Sequence, residues 1–272
     1  MLRAISTYVH IKRRLHPGLL DAMARGGAQA VEIFAARGHF NYQDKEHIKE
    51  IGAWFKSEPV KFHSMHSPIY PSNDFRSGAL ALNIVDADKR NRIDAMDEIK
   101  RALETAEHIP FRNMVVHLGE RYDTWSQRTM EFAETALEHL GAFARPLGVR
   151  VLVENLLSEP TTPEHLVTIL DLGHLDGIGV CLDLGHAHIT VGIAEAIAVL
   201  GNRIASMHVH DNHGTKDEHL WPGDGSVEWP VVRDAVRGLK SAPAGVLEIS
   251  EKLGDAPAAL PERIDKSFER LM

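Results

Sequence analysis

The chain has 272 residues, 44% hydrophobic and 25% charged, with a net charge of −8, seventeen histidines and one cysteine. Its length and apolar content suit a single large domain, residues 1–272, because α/β barrels run to about 250 residues undivided. Lone Cys181 excludes an internal disulfide, the acidic balance offers no overall attraction to nucleic acid or anionic lipid, and no apolar run approaches membrane-spanning length.

Met1-Leu2-Arg3 leads directly into a strand-like run, so no signal peptide is expected and the predicted location is a reducing cytoplasm. Strands are predicted near residues 4–9, 29–34, 60–66, 113–117, 149–154, 178–183, 204–209 and 245–249. Each is short and rich in β-branched or long aliphatic residues, the pattern of a strand buried on both faces. Helical patterns alternate with them: Leu19 to Arg25, Lys45 to Phe55, Asn91 to His108 and Thr129 to Arg145 in the first half. Thr162-Pro163-Glu164 then opens a helix with an N-cap, a first-turn proline and an early acid, and Gly173 closes it. Ile193 to Leu200, Val231 to Leu239 and Pro261 to Leu271 complete the set. Eight strands alternating with eight helices predict an α/β fold, a (β/α)8 TIM barrel. A doubly wound open sheet is the competing architecture, but it would gather its ligand at one switch point. The longest interval follows the third strand and opens with the turn-rich segment Pro68–Arg76, which is read either as a cap over a substrate or as an ordinary surface loop.

Six of the apolar runs end in a metal-ligand residue: His66, His117, Glu154, Asp183, His208 and Glu248. Such residues are costly to bury unless paired or ligated. Singly, each reads as a hydrogen-bonded barrel residue; jointly, they predict strand ends converging on one polar site. Glu154, Asp183, His208 and Glu248 form a hard-to-borderline donor set suited to Zn²⁺ or Mn²⁺ first, and also to Co²⁺ or Mg²⁺. His186 follows Asp183 by three residues and is predicted to touch substrate, to back a ligand or to bind a further ion. His210 shares the strand face of His208 and is expected near the metal or at the mouth, and is a weaker ligand candidate than His208. His188 is expected in a loop. His63 and His66 are three apart and cannot point alike in an extended strand, so His66 is the site candidate and His63 structural. Asp217-Glu218-His219 runs into Pro222-Gly223-Asp224-Gly225, where glycines permit a tight, closely approaching loop.

With these words aligned, the chain resembles the xylose isomerase-like TIM-barrel superfamily, which holds sugar and sugar-phosphate isomerases and epimerases and also endonuclease IV. The matching words are His66-Ser67-Pro68, Val116-His117-Leu118-Gly119, Val153-Glu154-Asn155, Leu182-Asp183-Leu184-Gly185-His186, His208-Val209-His210-Asp211-Asn212, the run from His219 to Gly225, and Glu248. In the isomerase branch the resemblance implies one metal on Glu154, Asp183, His208 and Glu248. Glu154 and Glu248 would be the catalytic acid/base pair, and His66, His117 and His186 would line the substrate. Several epimerases carry a substrate-clamping arginine shortly after the strand-seven histidine; that stretch holds no arginine here, and Lys216 is the candidate substrate-binding residue in its place. In the endonuclease IV branch the resemblance implies three zinc sites: His66, His117 and Glu154; Glu154, Asp183, His208 and Glu248; and His186, Asp217 and His219. The segment Glu32–Arg37 looks more like the sugar branch, and no basic and aromatic loop set reads as a DNA-bending surface. The expected function is therefore a metal-dependent isomerase or epimerase of a small sugar, sugar phosphate or polyol-derived ketone. Zinc-dependent cleavage of abasic DNA is the alternative, and a barrel that binds metal and carbohydrate without turnover is a third class, disfavoured by the intact carboxylate pair. No membrane partner is expected, and the pattern leaves room for a homo-oligomer.

Overall fold

Strands buried on both faces have one way to satisfy every backbone group without an exposed edge, which is to close on themselves. In the computed structural model, which describes residues 1–71, 80–253 and 259–271, eight parallel strands do so in sequential order, β1 to β8. They are β1 (Arg3–Ser6), β2 (Ala30–Phe34), β3 (Lys61–His66), β4 (Asn113–Val116), β5 (Arg150–Glu154), β6 (Gly179–Asp183), β7 (Ile204–Val209) and β8 (Ala244–Leu247). Outside them run α1 (Pro17–Arg25), α2 (Lys45–Ser57), α3 (Lys89–Leu103), α4 (Gln127–Ala144), α5 (Pro163–Leu172), α6 (Leu184–Ile189), α7 (Ile193–Leu200), α8 (Trp229–Arg237) and α9 (Leu260–Leu271). The main core lies between the barrel and these helices, with Ile33, Met65, Met114, Val153, Leu182 and Met207 facing buried helix residues such as Ile51, Leu103 and Leu140. The (β/α)8 barrel expected from the alternation is the fold.

Local chemistry sets the helix starts. Asp44 accepts from the amides of Glu46 and His47 at α2, Ser126 from Thr129 at α4, and Thr162 from His165 at α5, each satisfying an orphan first-turn donor. Beyond shifts of one or two residues at element ends, three differences from the sequence expectation stand out. The first strand stops at Ser6 because Thr7–His10 tighten into a 3-10 turn. The helix expected to reach His108 ends at Leu103, and Glu104–Glu107 continue as another 3-10 turn. His188, expected in a loop, lies on α6, a helix of six residues that is too short to show a period and is started by Asp183, whose Oδ1 accepts the His186 amide at 2.6 Å. Of the turn-rich segment after β3, Ser72 to Arg76 lie outside the described residues.

Two register shifts aim the inner faces. Between β2 and β3, Val31 pairs with Phe62 but Glu32 with Ser64, so β3 carries one extra residue, His63. Between β6 and β7, Val180 pairs with Ile204 but Cys181 with Ser206, so the extra residue is Ala205. Such bulges re-aim the side chains beyond them, and here they set Ser64 beside Glu32 and His208 beside Asp183.

Candidate metal centre

A closed parallel barrel delivers the carboxyl ends of all its strands to one rim. Glu154 and Asp183 end β5 and β6, His208 is the penultimate residue of β7, and Glu248 directly follows β8. All four are buried, and each offers a ligand atom within 4.8 Å of the others. His208 Nδ1 lies 3.0 Å from Glu154 Oε1, 3.3 Å from Glu248 Oε2 and 3.9 Å from Asp183 Oδ2. Burying three carboxylates side by side costs several kcal/mol per charge unless positive charge is brought to them.

Two further groups flank this one. His66 Nε2 and His117 Nε2 stand 3.1 Å apart, and 3.4 and 3.2 Å from Glu154 Oε2. Glu154 therefore turns one oxygen to His208 and the other to the His66–His117 pair. Across the rim, His186 Nε2 and His219 Nε2 lie 3.2 and 3.1 Å from Asp217 Oδ2. Ligand atoms around a tetrahedral ion with bonds of about 2.0–2.1 Å stand roughly 3.3 Å from one another, so these separations have the lengths of coordination edges.

The imidazoles are also oriented as ligands. His66 Nδ1–H donates to the Ser67 carbonyl at 2.8 Å, His186 Nδ1–H to the Asn155 carbonyl at 2.9 Å and His219 Nδ1–H to the Glu248 carbonyl at 2.9 Å. With one nitrogen committed to a backbone acceptor, the Nε2 lone pair of each points into the cluster. His210, His219 and Glu248 also lie within reach of one another, but the two rings stack 3.9 Å apart at 17°. Their lone pairs run side by side and do not converge on a point. His210 Nε2 instead contacts both Asp183 oxygens, at 3.1 and 3.0 Å, so it steadies that carboxylate.

Charge follows the same lines. Burial opposes ionisation of Glu154, but the charge of His208 and hydrogen bonds from His117, His208 and His66 hold its carboxyl well below the usual range. Burial likewise disfavours charge on His186 and His219. Asp183 and Asp217 overcome it for the first, raised to about 10, and Asp217 for the second, raised to about 9. Glu154, Asp183 and Asp217 thus remain ionised and draw positive charge to the rim, as protons on imidazoles or as metal cations that displace them. The donor set, the edge lengths and the committed outer nitrogens fit a divalent ion.

Of the residues singled out from sequence, His66, His117, Glu154, Asp183, His186, His208, Asp217, His219 and Glu248 meet at this rim. Lys216 does not join them; it is exposed, and its charge acts on Glu218. His63 faces Asn113 at 3.3 Å, a structural place. Four further contributors carry no role of their own in the sequence. Fully buried Glu32 approaches His208 from behind. The Tyr8 ring lies 5.3 Å from that of His219. Asn155 binds Asp183 through both backbone groups, at 2.7 and 3.0 Å. Asp211 organises the loop after β7, accepting from the amides of Gly223 and Val227 and from Trp229 Nε1. Gly225 backs onto Asp211, where a Cβ would come within 2.4 Å of its Oδ1. His219 holds a left-handed φ of 48° within that loop, uncommon outside glycine. No local periodicity marks any of these, though a lone Glu within an apolar strand was a usable signal for Glu32.

The family model described as a xylose isomerase-like TIM barrel matches residues 20–270. A curated relative, the uncharacterized protein MJ1311 of Methanocaldococcus jannaschii, is 28% identical over 181 residues, 63% of this chain and 61% of that protein. The chain thus spans about three-fifths of the length of that relative. Among solved structures, a D-tagatose 3-epimerase-like protein superposes with a TM-score of 0.79 at 23% identity, over 100% of this chain and 98% of the other. An IolI protein with a bound zinc atom superposes with a TM-score of 0.81 at 16% identity, with the same coverage.

Proposed function

The chain belongs to the xylose isomerase-like TIM barrel family, and from that footing we propose that it is a divalent-metal-dependent isomerase or epimerase of a small sugar, sugar phosphate or polyol-derived ketone. One observation carries the reading: three buried carboxylates and the His208 imidazole offer ligand atoms within 4.8 Å of one another, and two of those carboxylates, Glu154 and Glu248, come from β5 and β8, three strands apart around the rim. The likeness to a D-tagatose 3-epimerase-like protein and to a zinc-bound IolI protein accords with it. Zinc or manganese suits the donor set best, with cobalt or magnesium next. A divalent ion held there supplies Lewis-acid stabilisation of the negative charge that builds on a substrate carbonyl as a neighbouring C–H bond ionises.

The protein's own groups would move the proton. Glu154, kept ionised by its histidine neighbours, would accept it on one face of the carbon, and Glu248 would return one on the other. His186, anchored by Asn155, would hold a substrate hydroxyl. Glu154→Gln and Glu248→Gln should each lower turnover of a ketose substrate by at least about 100-fold while leaving the far-ultraviolet circular dichroism unchanged. Full activity in both variants would sink this mechanism.

A second reading is favoured by the two flanking groups, His66–His117 on Glu154 Oε2 and His186–Asp217–His219. It is a three-zinc phosphodiesterase acting on abasic DNA. Metal content separates the two: one tight ion per chain supports the isomerase. Three zinc ions, together with cleavage of an abasic-site duplex that is lost on His219→Ala, support the hydrolase.

A further inference from the structure

Glu32 stands on β2 with no exposure to solvent. Its two oxygens lie 3.2 and 3.3 Å from His208 Nε2, and Ser64 Oγ–H donates to Oε2 at 2.8 Å. Glu32 joins none of the ligand groups at the rim; it meets the side of the His208 ring turned away from Glu154, Asp183 and Glu248. A fully buried carboxylate is retained at a cost of several kcal/mol, and among the described residues its ion-pair partner is His208 alone.

His208 is thereby set apart from the other imidazoles of the rim. His66, His186 and His219 commit their outer nitrogen to neutral backbone carbonyls. His208 commits its outer nitrogen to a full negative charge. The two register shifts build this line: the extra residue His63 brings Ser64 opposite Glu32, and the extra residue Ala205 brings His208 opposite Asp183. Without the first, Ser64 Oγ would not meet the carboxylate; without the second, the Nδ1 side of His208 would not meet the three ligand carboxylates.

We propose that Glu32 is a positioning residue for the metal centre: it holds the proton of His208 on Nε2, fixes Nδ1 toward Glu154, Asp183 and Glu248, and strengthens Nδ1 as a donor to the ion those residues share. This rests on the reading of the rim as a metal centre, and it is independent of which substrate that centre serves. A carboxylate behind a ligating imidazole sets its tautomer and raises its basicity, and losing such a partner costs 10- to 100-fold in metal affinity.

The test uses zinc alone as the probe, with the full chain and a competing chromogenic chelator. Glu32→Gln keeps an acceptor for Nε2–H but removes the charge, and it should weaken zinc binding about 10-fold. Glu32→Leu removes both and should weaken it about 100-fold. Thermal unfolding of the metal-free chains provides the control, because a purely structural role would lower that midpoint without a graded effect on zinc. If Glu32→Leu does not fold, Ser64→Ala, which frees one Glu32 oxygen, replaces it and should fall between wild type and Glu32→Gln. Wild-type zinc affinity in folded Glu32→Gln and in the second variant overturns the inference while leaving the metal centre intact. A wild-type chain that holds no ion overturns both.

Discussion

At the scale of single residues, one side-chain type serves opposite ends of the titration range in this protein. His186 and His219 sit beside carboxylates and are pushed up to about 10 and about 9, whereas His39 and His10 are buried without an acid and burial pushes both down to about 4. His39 Nδ1–H donates to the Arg13 carbonyl, and its Nε2, also buried, has no hydrogen-bond partner among the described residues. A folded pKa below the unfolded value means that the native state binds fewer protons in between. The stability tied to neutral His39 is therefore complete above about pH 6.5 and lost as pH falls toward 4. Fully buried His39 contributes about 3 kcal/mol to that loss. Urea unfolding between pH 7 and 4 should show a shallower decline for His39→Gln than for wild type; parallel declines would remove His39 from the acid sensitivity.

At the scale of elements, α6 matters more than its six residues suggest. It starts on a candidate ligand, Asp183, carries His186 into the cluster, and packs its first turn against His210. Replacing a helical glycine with alanine ordinarily stabilises by about 1 kcal/mol. At Gly185 the added Cβ would lie 1.9 Å from His210 Cε1, so either the helix or the ring must move. Because His210 steadies both oxygens of Asp183, Gly185→Ala should lower the melting temperature and the zinc content together. Unchanged values for both would mean that α6 shifts freely, and its place in the site would need revision.

At the scale of the whole molecule, six of the eight strands, β3 to β8, end on one polar rim, so the fold is coupled to whatever neutralises that rim. Among the described residues no helix is long and apolar enough to cross a membrane, and the apolar mass lies in the layer between barrel and helices. An ion that binds only the folded chain stabilises it by about 4 kcal/mol when present at about 1,000 times its dissociation constant. Chelation should therefore lower the melting temperature, and zinc should restore it. A single step in a chelator titration fits the one-ion centre, and separate steps fit ions at the flanking groups as well.

The sequence by itself determined the barrel, because strands buried on both faces leave a continuous apolar signature and the longer connecting helices show their own period. It also determined most of the rim: a costly residue at the end of an apolar run is visible at a fixed place in the pattern, and Glu154, Asp183, His208 and Glu248 were found that way. Tertiary structure alone decided which nitrogen of His186 and His219 faces the cluster, since that depends on the carbonyls of Asn155 and Glu248, 31 and 29 residues away. It alone placed Glu32 behind His208, 176 residues away in sequence, because alternation along a strand cannot be counted through the bulges at His63 and Ala205. It also separated His210, stacked and backing Asp183, from the imidazoles whose lone pairs converge. Spacing records which residues arrive at a rim; only packing records the direction in which each one points.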